Sequence, residues 1–246
     1  MIEFIYVCLF AGAFIGGFIN GLAGFGTALF ALGWWLQIME PRAAVALVLA
    51  VTVLVGLQGL SETWRSINWP RLGRFVLPGF FGIPLGAIAL SYVSAQQLSL
   101  LVGILLVIYG GYFAFRRNLP LIQGSYKSVD VGLGFVGGAL GAMAGLSGVL
   151  PSMWSAMRPW TKAEQRAVLQ AYNMIVVGSS IPMLAINGGY NKDVLGDLML
   201  VLPLSAVGAY CGILLFRRLT DNLYRRLVII LMLLSGLGLL GRTLLV

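Results

Sequence analysis

Ser147 stands between two glycines in Gly145-Leu146-Ser147-Gly148, the G-x-S-G pattern in which intramembrane serine proteases hold their nucleophile. Such a serine needs a base to take its proton. The chain contains no histidine, and its lysines, Lys127, Lys162 and Lys192, fall in polar connections rather than in apolar runs. Ser147 therefore has no base, and hydrolysis is not the chemistry of this stretch. A metal site is no better founded, because Cys8 and Cys211 lie far apart in apolar runs with no C-x-x-C spacing and no histidine to join them. They read as small core residues, and no cofactor is implied.

Two uses of the glycines remain. Small residues four apart let helices approach closely in lipid, and Gly137, Gly141 and Gly145 have that spacing, as do Gly12 and Gly16. Packing does not account for Ser147, Gly148 and Pro151, nor for the polar Asn20 and Thr27 around the earlier turn Gly24-Phe25-Gly26. A helix broken inside the membrane does. Non-helical backbone at that depth is tolerated where protein or a cavity satisfies it, and a helix start offers unpaired N–H donors and the positive end of a dipole. Two such breaks meeting near the midplane would hold an anion without a charged side chain. Gln170 and Asn173, three apart on one helix face, and Thr52 in the matching helix of the first half supply further polar groups for its lining.

Composition says what surrounds these breaks. Hydrophobic residues are 59% of the 246 and charged residues 10%, and the mean hydropathy is +0.95, which a water-soluble surface cannot accommodate. The charges cluster at Arg65 to Arg74, Arg116 to Lys127 and Arg217 to Arg226 and separate apolar runs long enough to cross a bilayer. The net charge of +8 is thus loop charge that sets orientation, and nucleic acid is excluded as a partner because no basic stripe or aromatic-basic interleaving occurs outside the loops. The first segment lacks Lys or Arg before its apolar run, so it reads as a membrane segment rather than a cleaved leader. Trp34, Trp35, Trp154 and Trp160 are expected as interfacial anchors.

The chain also repeats itself. Phe14-Ile15-Gly16-Gly17 leading to Ala23-Gly24-Phe25-Gly26-Thr27 matches Phe135-Val136-Gly137-Gly138 leading to Ala144-Gly145-Leu146-Ser147-Gly148 at an offset of 121. Gly82, Gly86, Ser94, Gly110 and Arg116 match Gly208, Gly212, Thr220, Gly236 and Arg242 at an offset of 126. The expected fold is an all-α polytopic membrane protein of two inverted-topology repeats, residues 1–118 and 129–246, joined by a cytoplasmic linker at 119–128. Each repeat is a Gly-broken re-entrant hairpin (4–37, 129–158) plus three spans, at 43–61, 72–91 and 98–116 and at 166–187, 195–216 and 223–241. The inversion follows from the positive-inside rule. The loops holding Arg65 to Arg74, Arg116 to Lys127, Arg158 to Arg166 and Arg217 to Arg226 go inside, so 129–158 begins and ends inside while 4–37 begins and ends outside. Inverted repeats with broken helices are a construction of secondary transporters. Arg242 near an outside C-terminus is one charge against the scheme.

The early Gly21-x-x-Gly24-Phe25-Gly26, the second Gly-rich turn after the midpoint, and the Pro41-Arg42-x-Ala44-x-Ala46-Leu47 start of the next helix resemble the sulfite exporter TauE/SafE family over nearly the whole chain. The resemblance implies a multi-pass permease of the bacterial inner membrane that exports a small organosulfur anion, sulfite or a sulfonate such as sulfoacetate. It places the substrate at Asn20 to Thr27, with Gly24, Phe25 and Gly26, and at Gly145 to Ser152. The continuation Thr27 to Trp35, in place of the commoner glycine run and proline, suits an organic sulfonate or carboxylate better than bare sulfite. All eight acids lie at segment ends or in loops, which leaves no carboxylate relay at mid-membrane. The residues leave open an uptake carrier for sulfate-like or small carboxylate anions and a non-transporting scaffold. The partners are the anion and the lipid bilayer, and a homo-oligomer is compatible with the sequence.

Overall fold

The computed structural model describes residues 2–89, 95–114, 121–186 and 188–245. These are helical throughout, with no strand among them. The first half holds α1 (Ile2–Ala23), α2 (Thr27–Trp35), α3 (Pro41–Thr63), α4 (Trp69–Ala89) and α5 (Ala95–Ala114). The second holds α6 (Lys127–Ala144), α7 (Val149–Ala156), α8 (Lys162–Ile186), α9 (Lys192–Arg218) and α10 (Asp221–Leu245). Local chemistry sets several of these limits. Pro41 opens α3, where its missing N–H costs nothing, and the Asn191 side chain caps α9 by accepting from the Val194 N–H at 2.9 Å. The helices break at residues 24–26 and 145–148. The second break is where the sequence places it, whereas the first, expected around Asn20 to Gly26, is shorter because residues 20–23 still belong to α1.

Among the described residues, α1, α3, α8, α9 and α10 are long and apolar enough to cross a membrane, and Val102–Ala114 of α5 is a shorter apolar stretch. The limbs beside the breaks are unequal. α1 has 22 residues and α2 has 9; α6 has 18 and α7 has 8. At a rise of about 1.5 Å per residue, α1 alone spans about 33 Å, so the first limb is a full-length helix and only the return limb is short. Bulky apolar side chains such as Phe81, Ile108, Ile186 and Met199 face outward, as a lipid-facing surface requires.

Glycines bring the helices of the two halves into backbone contact. A Cβ on Gly17 or Gly21 of α1 would overlap the backbone of Ser205 or Ala209 in α9, and one on Gly208 or Gly212 of α9 would overlap that of Phe14 or Phe18. The same arrangement joins α6 to α4, with Gly82 against Phe135, Gly86 against Ala139, and Gly138 against Gly79. Such close approach maximises dispersion where no hydrophobic drive acts between helices. α5 pairs with α10, and α3 with α8 at the centre.

The polar connections meet at one end. Arg71 pairs with Glu164, Arg74 lies 3.6 Å from Asp130, Arg217 pairs with Glu62 at 2.6 Å, and the Lys162 ammonium donates to the carbonyls of Phe216 and Leu219 that end α9. Arg116 and Arg117, part of the expected inside charge, and Ser91 to Ser94, part of the expected outside turn, lie outside the described residues. The tryptophans depart from expectation. Trp35 is fully buried and its indole N–H donates to the Leu9 carbonyl at 3.0 Å. Trp154 is buried and donates to Asp130 at 2.9 Å, and Trp160 is buried under the Arg71 guanidinium. Three of the four therefore tie helices together rather than anchor at the interface, because each ring has a partner inside the bundle.

Candidate functional site

The site is built on α8. Its Gln170 Nε2 donates to Asn20 Oδ1 at 3.1 Å and to the Gly56 carbonyl of α3 at 3.0 Å. Asn20 in turn donates from Nδ2 to Thr27 Oγ1 at 2.8 Å, across the first break. Three residues along α8, Asn173 Oδ1 accepts from Ser147 Oγ at 2.5 Å, in the second break. One face of one helix thus holds both breaks, through an amide in each case.

The breaks also touch each other. A Cβ on Gly148 would come 2.6 Å from Phe25 Cβ, and one on Gly145 would lie 3.3 Å from Ala28 Cβ at the start of α2. Measured along α3, Gly145 sits beside Val48 and Leu49 while Gln170 and Asn20 sit beside Gly56. Seven or eight residues separate these levels, about 12 Å at the helical rise, so the two tips overlap side by side rather than stop end to end.

Backbone conformation explains two glycines directly. Gly24 and Gly145, equivalent in the repeat, have φ +82° and +70°, and each ends the preceding helix in the left-handed conformation that a side chain disfavours. The Gly145 N–H donates to the Gly141 carbonyl at 2.8 Å. Gly26 has φ +96° and caps α2. Gly148 differs: it is right-handed helical at φ −77°, so it is small because Phe25 lies against it and not because of its dihedrals.

Of the expected site residues, all are buried except Gly26 and Gly145, which are partly buried, and not all of them join the cluster. Asn20, Thr27, Ser147, Gln170 and Asn173 are bonded to one another within or across the breaks. Ser152 turns its hydroxyl back to the Val149 carbonyl of its own helix at 2.7 Å. Thr52 is buried on α3 and, among the described residues, makes no hydrogen bond to either break. Tyrosines that the sequence did not single out complete the frame: Tyr224 donates to the Ala23 carbonyl at the end of α1 at 3.2 Å, and Tyr172 to Gly134 at 2.7 Å.

Arg166 is the larger omission. The sequence groups it with Arg158 and Lys162 in a charged loop, yet it lies in the second turn of α8 and is fully buried. Its Nε and both terminal nitrogens have no hydrogen-bond partner, and neither does Gln170 Oε1 one turn on. The guanidinium lies over the Phe216 ring, 4.4 Å from its centroid. A Cβ on Gly59 of α3 would come 2.8 Å from a guanidinium nitrogen and overlap Gln170 Oε1. The acid beside it, Glu62, is taken by Arg217, which donates from Nε at 3.0 Å and from a terminal nitrogen at 2.6 Å. A signal was available: Arg166, Gln170 and Asn173 recur at i, i+4 and i+7, one helix face.

The protein family described as "Sulfite exporter TauE/SafE" matches residues 9–239. A protein of Cupriavidus necator named "Probable sulfite/organosulfonate exporter TauE" is 29% identical over 137 residues, which are 54% of each chain, so this chain spans about half the length of the curated relative it matches. No solved structure matches. The family match runs through both breaks and the helices between them, and the chain belongs to the sulfite exporter TauE/SafE family.

Proposed function

We propose that this protein exports a small organosulfur anion, sulfite or a sulfonate such as sulfoacetate, across the inner membrane of a bacterium, and that the anion binds where the two helix breaks meet. The observation that carries the reading is the joint hold of α8 on both breaks, Gln170 to Asn20 and Asn173 to Ser147. Both breaks present a glycine-started half-helix, α2 and α7, to a common region. Neutral donors and helix starts suit a monoanion, because they attract it without trapping it.

The fold reading within this proposal is an inverted pair of repeats, 1–118 and 129–246, with 119–128 as a cytoplasmic linker. It is supported by the matched glycine contacts of α1 with α9 and of α6 with α4, which recur at the offsets of the sequence repeat. Each hairpin leans on a helix of the other half, so a rocking movement of one half carries the opposite tip and exposes the region between tips to alternate sides. A potential negative inside drives a monoanion outward by about 2.3 kcal/mol per 100 mV, and no proton relay is needed.

Flux of labelled sulfoacetate from proteoliposomes under an imposed potassium diffusion potential tests this. The expected result is efflux that quickens as the interior is made negative and slows when the potential is reversed. Efflux equal to protein-free vesicles for both sulfite and sulfoacetate would overturn the proposal.

A further inference from the structure

We infer that Arg166, with Gln170 beside it, is a binding site for a monovalent oxyanion of the sulfonate or hydrogensulfite type, the ligand supplying the counter-charge that the protein withholds. The inference rests on the proposed function for its choice of ligand and on the geometry for everything else.

A guanidinium keeps its proton under any physiological condition, so Arg166 is a permanent charge with no exposed surface. An isolated buried charge is among the least favourable groups a protein can hold, and inside a membrane such a residue normally has a nameable partner. Here the partner is missing. All three side-chain nitrogens are unbonded, the nearby carboxylate Glu62 is engaged at both oxygens by Arg217, and what remains is the face of Phe216. An aromatic face attracts a cation but accepts none of its in-plane N–H bonds.

The surroundings have the shape of a receptor for an oxyanion. The planar fork of five N–H groups matches two oxygens of a sulfonate. Gly59 leaves open the space into which both the guanidinium and the unbonded Gln170 Oε1 look. The acceptor gives a ligand O–H a place to donate, as hydrogensulfite would need. Gln170 is also the residue that holds Asn20 and the first break, and Gly24 packs against the Arg166 carbonyl and the Gln170 side chain. An anion on Arg166 therefore reaches the residue that positions the break. A cleft of about 470 Å³ between α3 and α9 is lined by Gln58, Glu62 and Arg217, chain neighbours of Gly59 and Phe216.

The test uses the purified protein in detergent, as wild type and as Arg166→Met, whose unbranched apolar side chain replaces the stem and removes the guanidinium that lies over Phe216. Thermal unfolding and calorimetric titration are run with sulfoacetate, sulfite, acetate and phosphate. Sulfoacetate is expected to raise the melting temperature of wild type and to leave that of Arg166→Met unchanged, with affinity lowered on the order of 100-fold. Without ligand, Arg166→Met is expected to melt no lower than wild type, since a charge without a partner has been removed. A variant that fails to fold or melts well below wild type marks a structural cation and overturns the inference. So does a variant that binds sulfoacetate as wild type does, and in that case the organosulfur reading survives. Binding of acetate or phosphate but not of sulfur anions, lost in Arg166→Met, would keep the arginine site and remove the organosulfur reading instead.

Discussion

Gly148→Ala isolates the contact between the two breaks. The native φ of −77° suits alanine, so the substitution carries no backbone strain and restricts the unfolded chain, a gain of about 0.4–1 kcal/mol. Against it stands the new methyl, 2.6 Å from Phe25 Cβ and 2.8 Å from Phe25 Cγ. Carbon atoms rest about 3.5–4.0 Å apart, so the tips must separate by about 1 Å. Forcing a methyl into a filled core costs about 1–3 kcal/mol, which leaves a net loss between about 0 and 2.6 kcal/mol and a folded protein. The control is Gly33→Ala in the short helix α2, where a Cβ meets nothing within 4 Å. Both variants are measured by tryptophan-monitored thermal unfolding in detergent and by sulfoacetate efflux from proteoliposomes. The expectation is a modest fall in melting temperature for Gly148→Ala with efflux reduced about tenfold or more, the equivalent of 1.4 kcal/mol, while Gly33→Ala matches wild type in both. Gly148→Ala transporting at the rate of Gly33→Ala would refute the claim that apposed tips form the site.

Ser147 donates to Asn173 and has no base, so a serine-directed fluorophosphonate should leave the protein unlabelled; stoichiometric labelling lost in Ser147→Ala would restore the hydrolase reading. In a double-mutant cycle, Ser147→Ala and Asn173→Leu should couple by about 0.5–1.5 kcal/mol in thermal stability, and zero coupling would remove the bond from the site. For topology, single cysteines in place of the exposed Gln123 and Lys192, in a background lacking Cys8 and Cys211, should react with an impermeant maleimide from the cytoplasmic and outer sides respectively; the reverse pattern sinks the inverted scheme.

What could be read in the sequence and what could not divide along physical lines. The breaks were legible because a membrane forbids unsatisfied backbone, so Gly24-Phe25-Gly26 and Gly145 to Gly148 could be nothing ordinary inside an apolar run. Spacing singled out Gly12 and Gly16, which face α2, and Gly137 and Gly141, which face Ser147 and α8. The glycines in backbone contact with the other half, Gly17 and Gly21 on α9 and Gly134 and Gly138 on α4, were not singled out by it, because tertiary contact alone decides which face meets a distant helix. Trp35 and Trp154 misled because a tryptophan near a segment end reads as an anchor, while the indole N–H of each finds a partner on a helix distant in sequence, Leu9 or Asp130. Gly148 was read only as part of the break, and its φ of −77° with Phe25 against it makes close approach, not an unusual dihedral, the reason for a glycine there.

Arg166 was hidden by its neighbours. Charge patterning treats Arg158, Lys162 and Arg166 as one cluster that sets orientation; the first two donate to carbonyls at the polar end of the bundle. Depth along the helix separates the third, since residues four apart share a face and Lys162, at the start of α8, reaches the carbonyls that end α9. Arg166 lies one turn beyond Lys162, on the face that also carries Gln170 and Asn173, and that face turns toward α3 and the breaks. The same phase that buries the two amides buries the guanidinium. In the proposed site, neutral amides would let an anion go, and a cation at the edge would favour an anion over a neutral solute. Arg166 and Gln170 lie on successive turns of one helix, and Gln170 is bonded through Asn20 to Thr27 across the first break, so under the proposal a ligand held by both would be in contact with the chain of bonds that positions that break.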